Sequence, residues 1–311
     1  MSAIKKLIIS LIVIVGILAM ALIGVYIVAR VKLGVDLFRT VGQLKTLSQP
    51  VNEEESFPAA FKSKDLVDLK SQTESQLGNV VLYEEGKGYQ GYSIDFTALA
   101  LAGATASPVF LSEQQTGALA EIVFYQQTGG KLTIADKDIS VSVLQIAFTD
   151  VDSETGNADL NVTVKLDLTP FKDDMEGFPF NKLKNIVPDA LYVTSVVRIE
   201  KGEGLAYTVT PKYLTLNNLS GDDTSDFFHT LDVVLKIGSA EDLNAKIGTT
   251  AANALIGTEK SPGFVYALKA TGGSGSFAFV TFENDGKQIN ALVFSRKWCF
   301  NENGVLTKMM F

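Results

Sequence analysis

The chain opens with a long apolar run before shorter patterns begin. From Leu7 to Ala29 there are 23 residues without a charge. As a helix rising about 1.5 Å per residue they extend about 35 Å, enough for a bilayer core of about 30 Å. A secretory signal peptide has only about 7 to 15 apolar residues. The pattern therefore predicts a short cytoplasmic stub and a retained transmembrane helix over residues 1–32, with the lipid bilayer as a partner.

Helical spacing of apolar residues continues beyond this run. It predicts a helix that ends before Gln49-Pro50, because the residue before a proline is disfavoured in helices. The acidic Glu53-Glu54-Glu55 indicates a solvated linker over residues 51–60. Phe61 to Leu77 has the spacing of a short helix. We therefore expect a juxtamembrane helix and linker over residues 33–78.

Four long alternating runs dominate the remainder, residues 79–311. They predict strands over Ile139–Thr149, Ala158–Leu168, Leu191–Glu200 and Leu205–Asn217. In the second run every even position is apolar and every odd position is polar, which predicts one buried face and one face in water. Parity changes between Val143 and Leu144, and again near Pro211, and each change predicts a β-bulge. Long bulged strands favour a strongly curved sheet.

Capping residues mark the helices among these strands. Ser112, followed three residues later by Gln115, predicts a helix that ends at Gly129-Gly130. Further helices are predicted over Thr224–Ile237 and from Ser239 onward.

Near the C-terminus, a strand is predicted over Gly263–Thr271 and a hairpin through Asn284-Asp285-Gly286. The predicted fold class is α+β, with an N-terminal transmembrane helix followed by a long-stranded, strongly curved antiparallel sheet packed on helices. Residues 79–311 form the extracytoplasmic domain of this scheme.

Charge and cysteine content narrow the classes of partner. The chain holds 27 basic and 35 acidic residues, with a net charge of −8, which disfavours nucleic acid as a partner. Cys299 is the only cysteine, so an intramolecular disulfide and a cysteine metal cage are excluded. A short head before the apolar run favours a single-pass membrane protein with a cytoplasmic N-terminus and an extracytoplasmic main domain. The scarcity of cysteine in an exported domain favours a bacterial protein.

Acidic and histidine clusters offer the first candidates for chemistry. His229, the only histidine, follows Asp226 by three residues, close to Asp222 and Asp223. These residue types bind metals, but acids are also favoured at helix N-termini, and the structural role is preferred. Aspartate pairs such as Asp150 and Asp152, Asp173 and Asp174, or Asp222 and Asp223 lie in predicted turns, where aspartate bonds its own backbone.

A glycine motif and the lone cysteine are the remaining candidates. Gly86 to Gly91 matches G-x-G-x-x-G, but a strand-like segment follows where a dinucleotide site needs a helix, so a turn between strands is predicted. Cys299 is interpreted as a small apolar residue. No catalytic, cofactor-binding or metal-binding residue is assigned, and no enzymatic activity is expected.

The order and length of the elements between residues 112 and 256 resemble the tubular lipid-binding (TULIP, SMP-like) superfamily. The resemblance implies a curled sheet that wraps a long helix and encloses an apolar groove for a lipid ligand. The implied groove residues are Val141, Ile146, Phe148, Leu160, Val162, Val164, Leu166, Phe227, Leu231 and Leu235.

Two functions fit these patterns. The first is a membrane-anchored extracytoplasmic domain that binds or shuttles a lipid or lipid-linked envelope molecule in an apolar groove. The alternative is a non-enzymatic structural or scaffolding protein of the cell envelope with a solid core. The sequence leaves both open, because a hollow interior and a filled one need the same apolar pattern.

Overall fold

The computed structural model describes residues 37–102, 109–134, 137–170, 188–235, 239–260, 263–269, 276–284, 286–295, 298–300 and 306–308. The helices are α1 (Leu37–Leu47), α2 (Glu53–Ser56), α3 (Ser63–Leu77), α4 (Phe96–Ala102), α5 (Glu113–Thr128), α6 (Gly221–Leu235), α7 (Ala240–Leu255) and α8 (Phe264–Lys269). The strands are β1 (Val81–Tyr83), β2 (Tyr92–Ile94), β3 (Val109–Ser112), β4 (Lys131–Ile134), β5 (Lys137–Asp152), β6 (Asn157–Asp167), β7 (Ala190–Lys201), β8 (Tyr207–Leu216), β9 (Ser276–Asn284), β10 (Lys287–Ser295), β11 (Trp298–Phe300) and β12 (Leu306–Lys308).

A five-stranded antiparallel sheet in the order β4-β5-β6-β7-β8 forms the centre of the fold. Its register confirms both predicted bulges. Leu144 is an extra residue of β5, between the residues that pair with two consecutive residues of β6. Lys212, next to Pro211, is the corresponding extra residue of β8 opposite β7. The parity changes in the sequence therefore located both bulges correctly.

The predicted fold class is nevertheless wrong. The structure is α+β with antiparallel sheets, but the sheet is not strongly curved. Helices α5 and α7 contact one another while α5 packs on β5 and α7 packs on β7 and β8. Two helices side by side need a broad sheet surface, and the bulges bend single strands without rolling that surface around one helix.

The transmembrane part of that prediction concerns Leu7 to Ala29, which lies outside the described residues. Among the described residues, no helix has both the length and the apolar character needed to cross a membrane.

Small and polar residues bring α7 close to the sheet. A Cβ added to Gly248 would lie 2.1 Å from Cγ1 of Val197 on β7. One turn earlier, Asn244 Oδ1 accepts a hydrogen bond of 2.6 Å from Ser195 Oγ, and its Nδ2 donates 3.0 Å to the Val196 carbonyl. Ser195 and Asn244 are both buried. This stripe fixes both the separation and the register of helix and sheet.

A second sheet, in the order β3-β10-β9, packs beside the first. The rings of Phe148 on β5 and Phe279 on β9 lie 4.9 Å apart. The predicted C-terminal hairpin is confirmed, since β9 and β10 pair antiparallel up to Asn284 and Lys287, with Gly286 at φ +73°. The N–H of Phe279 donates to the Gly156 carbonyl at 3.1 Å, which joins the edge of β9 to the β5–β6 turn.

The strand predicted over Gly263–Thr271 is wrong, because residues 264–269 form helix α8. Phe264, Val265 and Leu268 are buried, and their spacing fits one helical face as well as a buried strand. A Cβ at Gly263 would lie 2.3 Å from the Asn253 carbonyl oxygen. This close approach to the end of α7 is a tertiary feature that the local sequence does not show.

The segments expected near the membrane pack against the domain. In α1, Leu44 and Leu47 are buried, and Gln43 Nε2 donates 3.0 Å to the Asp223 carbonyl at the start of α6. The segment predicted as a solvated linker covers part of the sheet. There Glu53 bonds to side chains of β6 and β7, and the Phe57 ring stacks on a β7 tyrosine at 5.3 Å.

Candidate functional site

The residues predicted to line a groove lie on the helix-covered face of the five-stranded sheet and on α6, where they divide between two clusters of buried side chains. The larger cluster contains Ile146, Phe148, Leu160 and Val162, and the smaller contains Val141, Leu166 and Phe227. Val164 packs against both clusters. Leu231 and Leu235 belong to α6, but their side chains lie outside the described part of the structure.

The face of the sheet predicted to meet water is partly buried. Thr163 is 0% exposed and Asp159 is 5% exposed. The Asp159 carboxylate accepts hydrogen bonds from Arg198 Nη1 at 3.3 Å and from Lys212 Nζ at 2.5 Å. Since both cations come from later strands, the sequence pattern of β6 alone could not show that this acid would be buried and paired.

A second polar group on the same face ties the acidic segment to the sheet. Glu53 Oε1 accepts hydrogen bonds of 2.5 Å from Lys165 Nζ and from Tyr192 Oη. These contacts lower the pKa of Glu53, the hydrogen bond from Lys165 first and that from Tyr192 second. Because the charges of Glu53 and Lys165 are paired with each other, these side chains attach residues 51–60 to the sheet and do not form a reactive site.

Two glutamates on α5, the buried Glu121 and the partly buried Glu113, cover the free edge of β5. Strand β4 pairs with residues 137–140 of β5. Beyond them, the N–H groups of Val143 and Phe148 bond to side chains of α5 and not to a described strand. Glu121 Oε2 accepts from the Val143 N–H at 2.6 Å, and Glu113 Oε1 accepts from the Phe148 N–H at 2.6 Å.

Burial raises the pKa of both acids. The pKa of Glu121 rises from 4.5 to about 7, since loss of water outweighs the hydrogen bond from Val143. The pKa of Glu113 is raised for the same reason, against the opposing hydrogen bonds from Phe148 and Asn290. Acids with a strongly shifted pKa often mark active sites. Here, however, each carboxylate already accepts a hydrogen bond from a backbone N–H of β5. Neither acid was predicted from the sequence; the available signal was Glu121, a single acid inside the otherwise apolar stretch from Ala118 to Tyr125.

The hairpin of β1 and β2 presents a cluster of tyrosines at the surface. The rings of Tyr83 and Tyr92 lie 4.6 Å apart at 37°, and those of Tyr89 and Tyr125 lie 6.4 Å apart at 70°. Tyr83 and Tyr89 remain 41% and 49% exposed, beside the 37% exposed Leu82. We call Leu82, Tyr83, Tyr89, Tyr92 and Tyr125 the tyrosine hairpin.

Glycines fix the loop of this hairpin. Gly86 and Gly88 have φ values of +83° and +56°, in the region that disfavours side chains. A Cβ at Gly91 would lie 2.4 Å from the Glu84 carbonyl oxygen. The predicted turn is therefore confirmed, and G-x-G-x-x-G has a structural explanation that involves no nucleotide. The outcome is a short, constrained loop that holds Tyr89 against helix α5.

Helix α5 also holds the hairpin by its backbone. The Gln126 side chain accepts from the Ile94 N–H at 3.0 Å and donates to the Ile94 carbonyl at 3.1 Å. This paired contact mimics a strand neighbour for β2. These two hydrogen bonds therefore fix β2, and with it the tyrosine hairpin, to helix α5.

The other candidates lie apart from these features. His229 is exposed on α6, with Asp222 and Asp223 in the first turn of that helix. Asp152 Oδ1 accepts from the Glu154 N–H at 3.0 Å, which confirms a turn role for this aspartate. The described residues contain no group of three or more histidine, cysteine or acidic side chains placed to bind a metal.

Two further candidates cannot be placed in this way. Asp173 and Asp174 lie outside the described residues. Cys299 belongs to β11, and its side chain is not described.

Comparisons with known proteins identify no relative: no family model, no curated protein and no solved structure matches this chain.

Proposed function

We propose that this chain is a non-enzymatic scaffolding protein of the cell envelope, whose α+β domain binds a protein partner through the tyrosine hairpin. The observation that carries the proposal is the exposure of Tyr83, at the end of β1, and of Tyr89, in the constrained loop that follows. Tyrosine provides a large contact area at low entropic cost, and it is enriched at protein interfaces.

The interior of the domain supports this proposal. Its buried apolar side chains pack against each other in two clusters beneath helices α5, α6 and α7. The polar side chains discussed above bond mainly within the protein, as at Asp159 and Glu121. A rigid interior of this kind suits a domain that displays a surface.

Site-specific photo-cross-linking in cells tests the proposal. A photoreactive phenylalanine analogue replaces Tyr89 in the full-length chain, and the control carries it at Tyr213, which is also 49% exposed but lies on β8. The expected result is a reproducible protein adduct from position 89 that is absent from position 213. The Tyr83→Ala/Tyr89→Ala variant should then weaken binding to the purified partner. Equal adducts at both positions, or none, would contradict the proposal.

Lipid binding between sheet and helices is a second proposal, favoured by one observation. Phe124 and Val164 each pack against both clusters, so the apolar row of β6 continues from one cluster into the other. At about 3.3 Å per residue, the 11 residues of β6 extend about 36 Å. That is longer than the acyl chains of one leaflet, about 15 Å, or half of a 30 Å core.

Mass spectrometry of the full-length chain, exchanged into lipid-free amphipol, tests this second proposal. We expect one lipid class to remain bound in near-stoichiometric amount. A lipid-free preparation that also fails to bind a fluorescent fatty acid would contradict it.

The location at the cell membrane stays a prediction of the sequence. It depends on the uncharged run from Leu7 to Ala29. Fractionation of cells that express the full-length chain, followed by protease treatment of intact spheroplasts, tests both the attachment and the extracytoplasmic side. Recovery of the chain in the soluble fraction would contradict it.

A further inference from the structure

The tyrosine hairpin has a geometry and a charge that select among binding partners. Its two ring pairs are inclined at 37° and 70°, so the rings do not form one flat platform. A flat platform suits a sugar ring that stacks across several aromatic residues. Inclined rings instead present separate faces and edges, and each exposed face attracts a cation through the ring quadrupole.

The charges around these rings favour a cation as well. Glu84 and Glu85 are both exposed in the loop. Lys87 Nζ lies 2.8 Å from the Glu84 carboxylate, whereas no ion pair within the described residues involves Glu85. The loop therefore carries one surplus negative charge, on a chain whose net charge is −8. Positive groups are drawn to such a surface, and anionic partners are repelled.

The neighbouring lysine on α3 does not reverse this balance. Lys70 Nζ lies 3.0 Å from Glu74, so its charge is matched on its own helix. Tyr92, on which the charge of Lys70 acts, is buried and its ring lies against that of Tyr83. The tyrosines of the hairpin that are exposed to a partner are Tyr83 and Tyr89.

We propose that the tyrosine hairpin binds an arginine-bearing segment of a protein partner, with guanidinium groups stacked on Tyr83 and Tyr89 and one of them paired with Glu85. This inference rests on the proposed scaffolding function and names the chemistry of the partner. Arginine is favoured over lysine because its planar guanidinium stacks on aromatic faces while it donates to a carboxylate.

Titration of synthetic peptides into the full-length chain tests the inference. The probes are an eight-residue Arg-Gly repeat, the matching Lys-Gly repeat and the neutral sugar cellohexaose, each followed by isothermal titration calorimetry at low and at physiological salt. We expect the arginine peptide to bind several-fold tighter than the lysine peptide, and binding to weaken with salt. Binding of cellohexaose in place of the arginine peptide would overturn the inference.

Variants separate stacking from general attraction to an acidic protein. Tyr83→Ala/Tyr89→Ala should weaken arginine-peptide binding about tenfold, at roughly two- to fivefold for each ring. Tyr83→Phe/Tyr89→Phe keeps the rings and should retain most of the binding. Tyr213→Ala, an equally exposed tyrosine on β8, should leave it unchanged. An equal loss with Tyr213→Ala, or equal affinities for the two peptides, would overturn the inference.

The two proposals fail separately. A protein adduct at position 89 with no arginine-peptide binding refutes only the arginine-bearing partner. The absence of any adduct at position 89 refutes the scaffolding function itself.

Discussion

Replacing Glu121 by glutamine removes a buried acid from α5 and keeps a side-chain oxygen that can accept the Val143 N–H. In the wild-type protein this contact measures 2.6 Å, and Glu121 is 3% exposed. Burial raises the pKa of Glu121 from 4.5 to about 7. At about 1.36 kcal/mol per pH unit, the interval between these values corresponds to roughly 3 kcal/mol.

The direction of the effect follows from proton binding. Because the folded pKa of Glu121 is higher than the unfolded one, the folded state binds the proton more tightly. The resulting stabilisation is fully present below about pH 4.5, and it is lost as the pH rises through about 7. The Glu121→Gln variant lacks this dependence. We therefore expect the free energy of unfolding of the variant, minus that of the wild type, to rise by roughly 3 kcal/mol between pH 4 and pH 8.

Urea unfolding of the full-length chain, followed by circular dichroism at several pH values, measures this difference. Glu113 also has a raised pKa, but it is present in both proteins and cancels in the comparison. Glu121→Leu serves as a control: it leaves the Val143 N–H without an acceptor, which costs about 1 to 3 kcal/mol. A difference between Glu121→Gln and wild type that stays constant from pH 4 to pH 8 would refute the reasoning.

Three further predictions use the same unfolding assay. Gly248→Ala should destabilise the fold by about 1 to 3 kcal/mol, because the added Cβ would collide with Val197 on β7. Gly42→Ala is the control, since there is open space around Gly42, and it should not destabilise the fold. Equal effects of the two changes would contradict the close approach of α7 to the sheet. Asn244→Ala should lower the free energy of unfolding by about 1 to 3 kcal/mol, because it removes a buried hydrogen-bonding side chain. The double variant Asn244→Ala/Ser195→Ala should lose less than the sum of the two single losses, because the two side chains bond to each other. Strictly additive losses would contradict this coupling. Asp159→Asn should destabilise the fold by about 1.5 to 3 kcal/mol, because Arg198 and Lys212 lose the charge of a buried hydrogen-bonded carboxylate. An unchanged unfolding midpoint would show that this charge contributes nothing.

The elements set by neighbouring residues could be predicted from the sequence. The Ser112 hydroxyl accepts from the Gln115 N–H at 3.2 Å, and α5 ends at Gly129 with φ +71°, as the capping residues indicated. Ser239 caps α7 in the same manner. The bulge at Leu144 was visible as a parity change, because one extra residue moves every later side chain to the other face.

The candidate site was only partly accessible from the sequence. The glycines from Gly86 to Gly91 predicted a turn, and the structure confirms it. The pairing of Tyr89 with Tyr125 could not be predicted, because 36 residues separate them along the chain and only packing of the hairpin on α5 brings the rings together.

What the sequence by itself determined is local: most of the strands, the caps, the bulges and the turns, each of which depends on residues a few positions apart. The tertiary structure alone decided which polar groups are buried, as at Glu121 and Asp159, and whether residues 264–269 form a helix. It also decided the shape of the sheet, since helices α5 and α7 pack side by side on one face. The physical reason is that burial and curvature depend on partners from distant parts of the chain, whose positions no local pattern encodes.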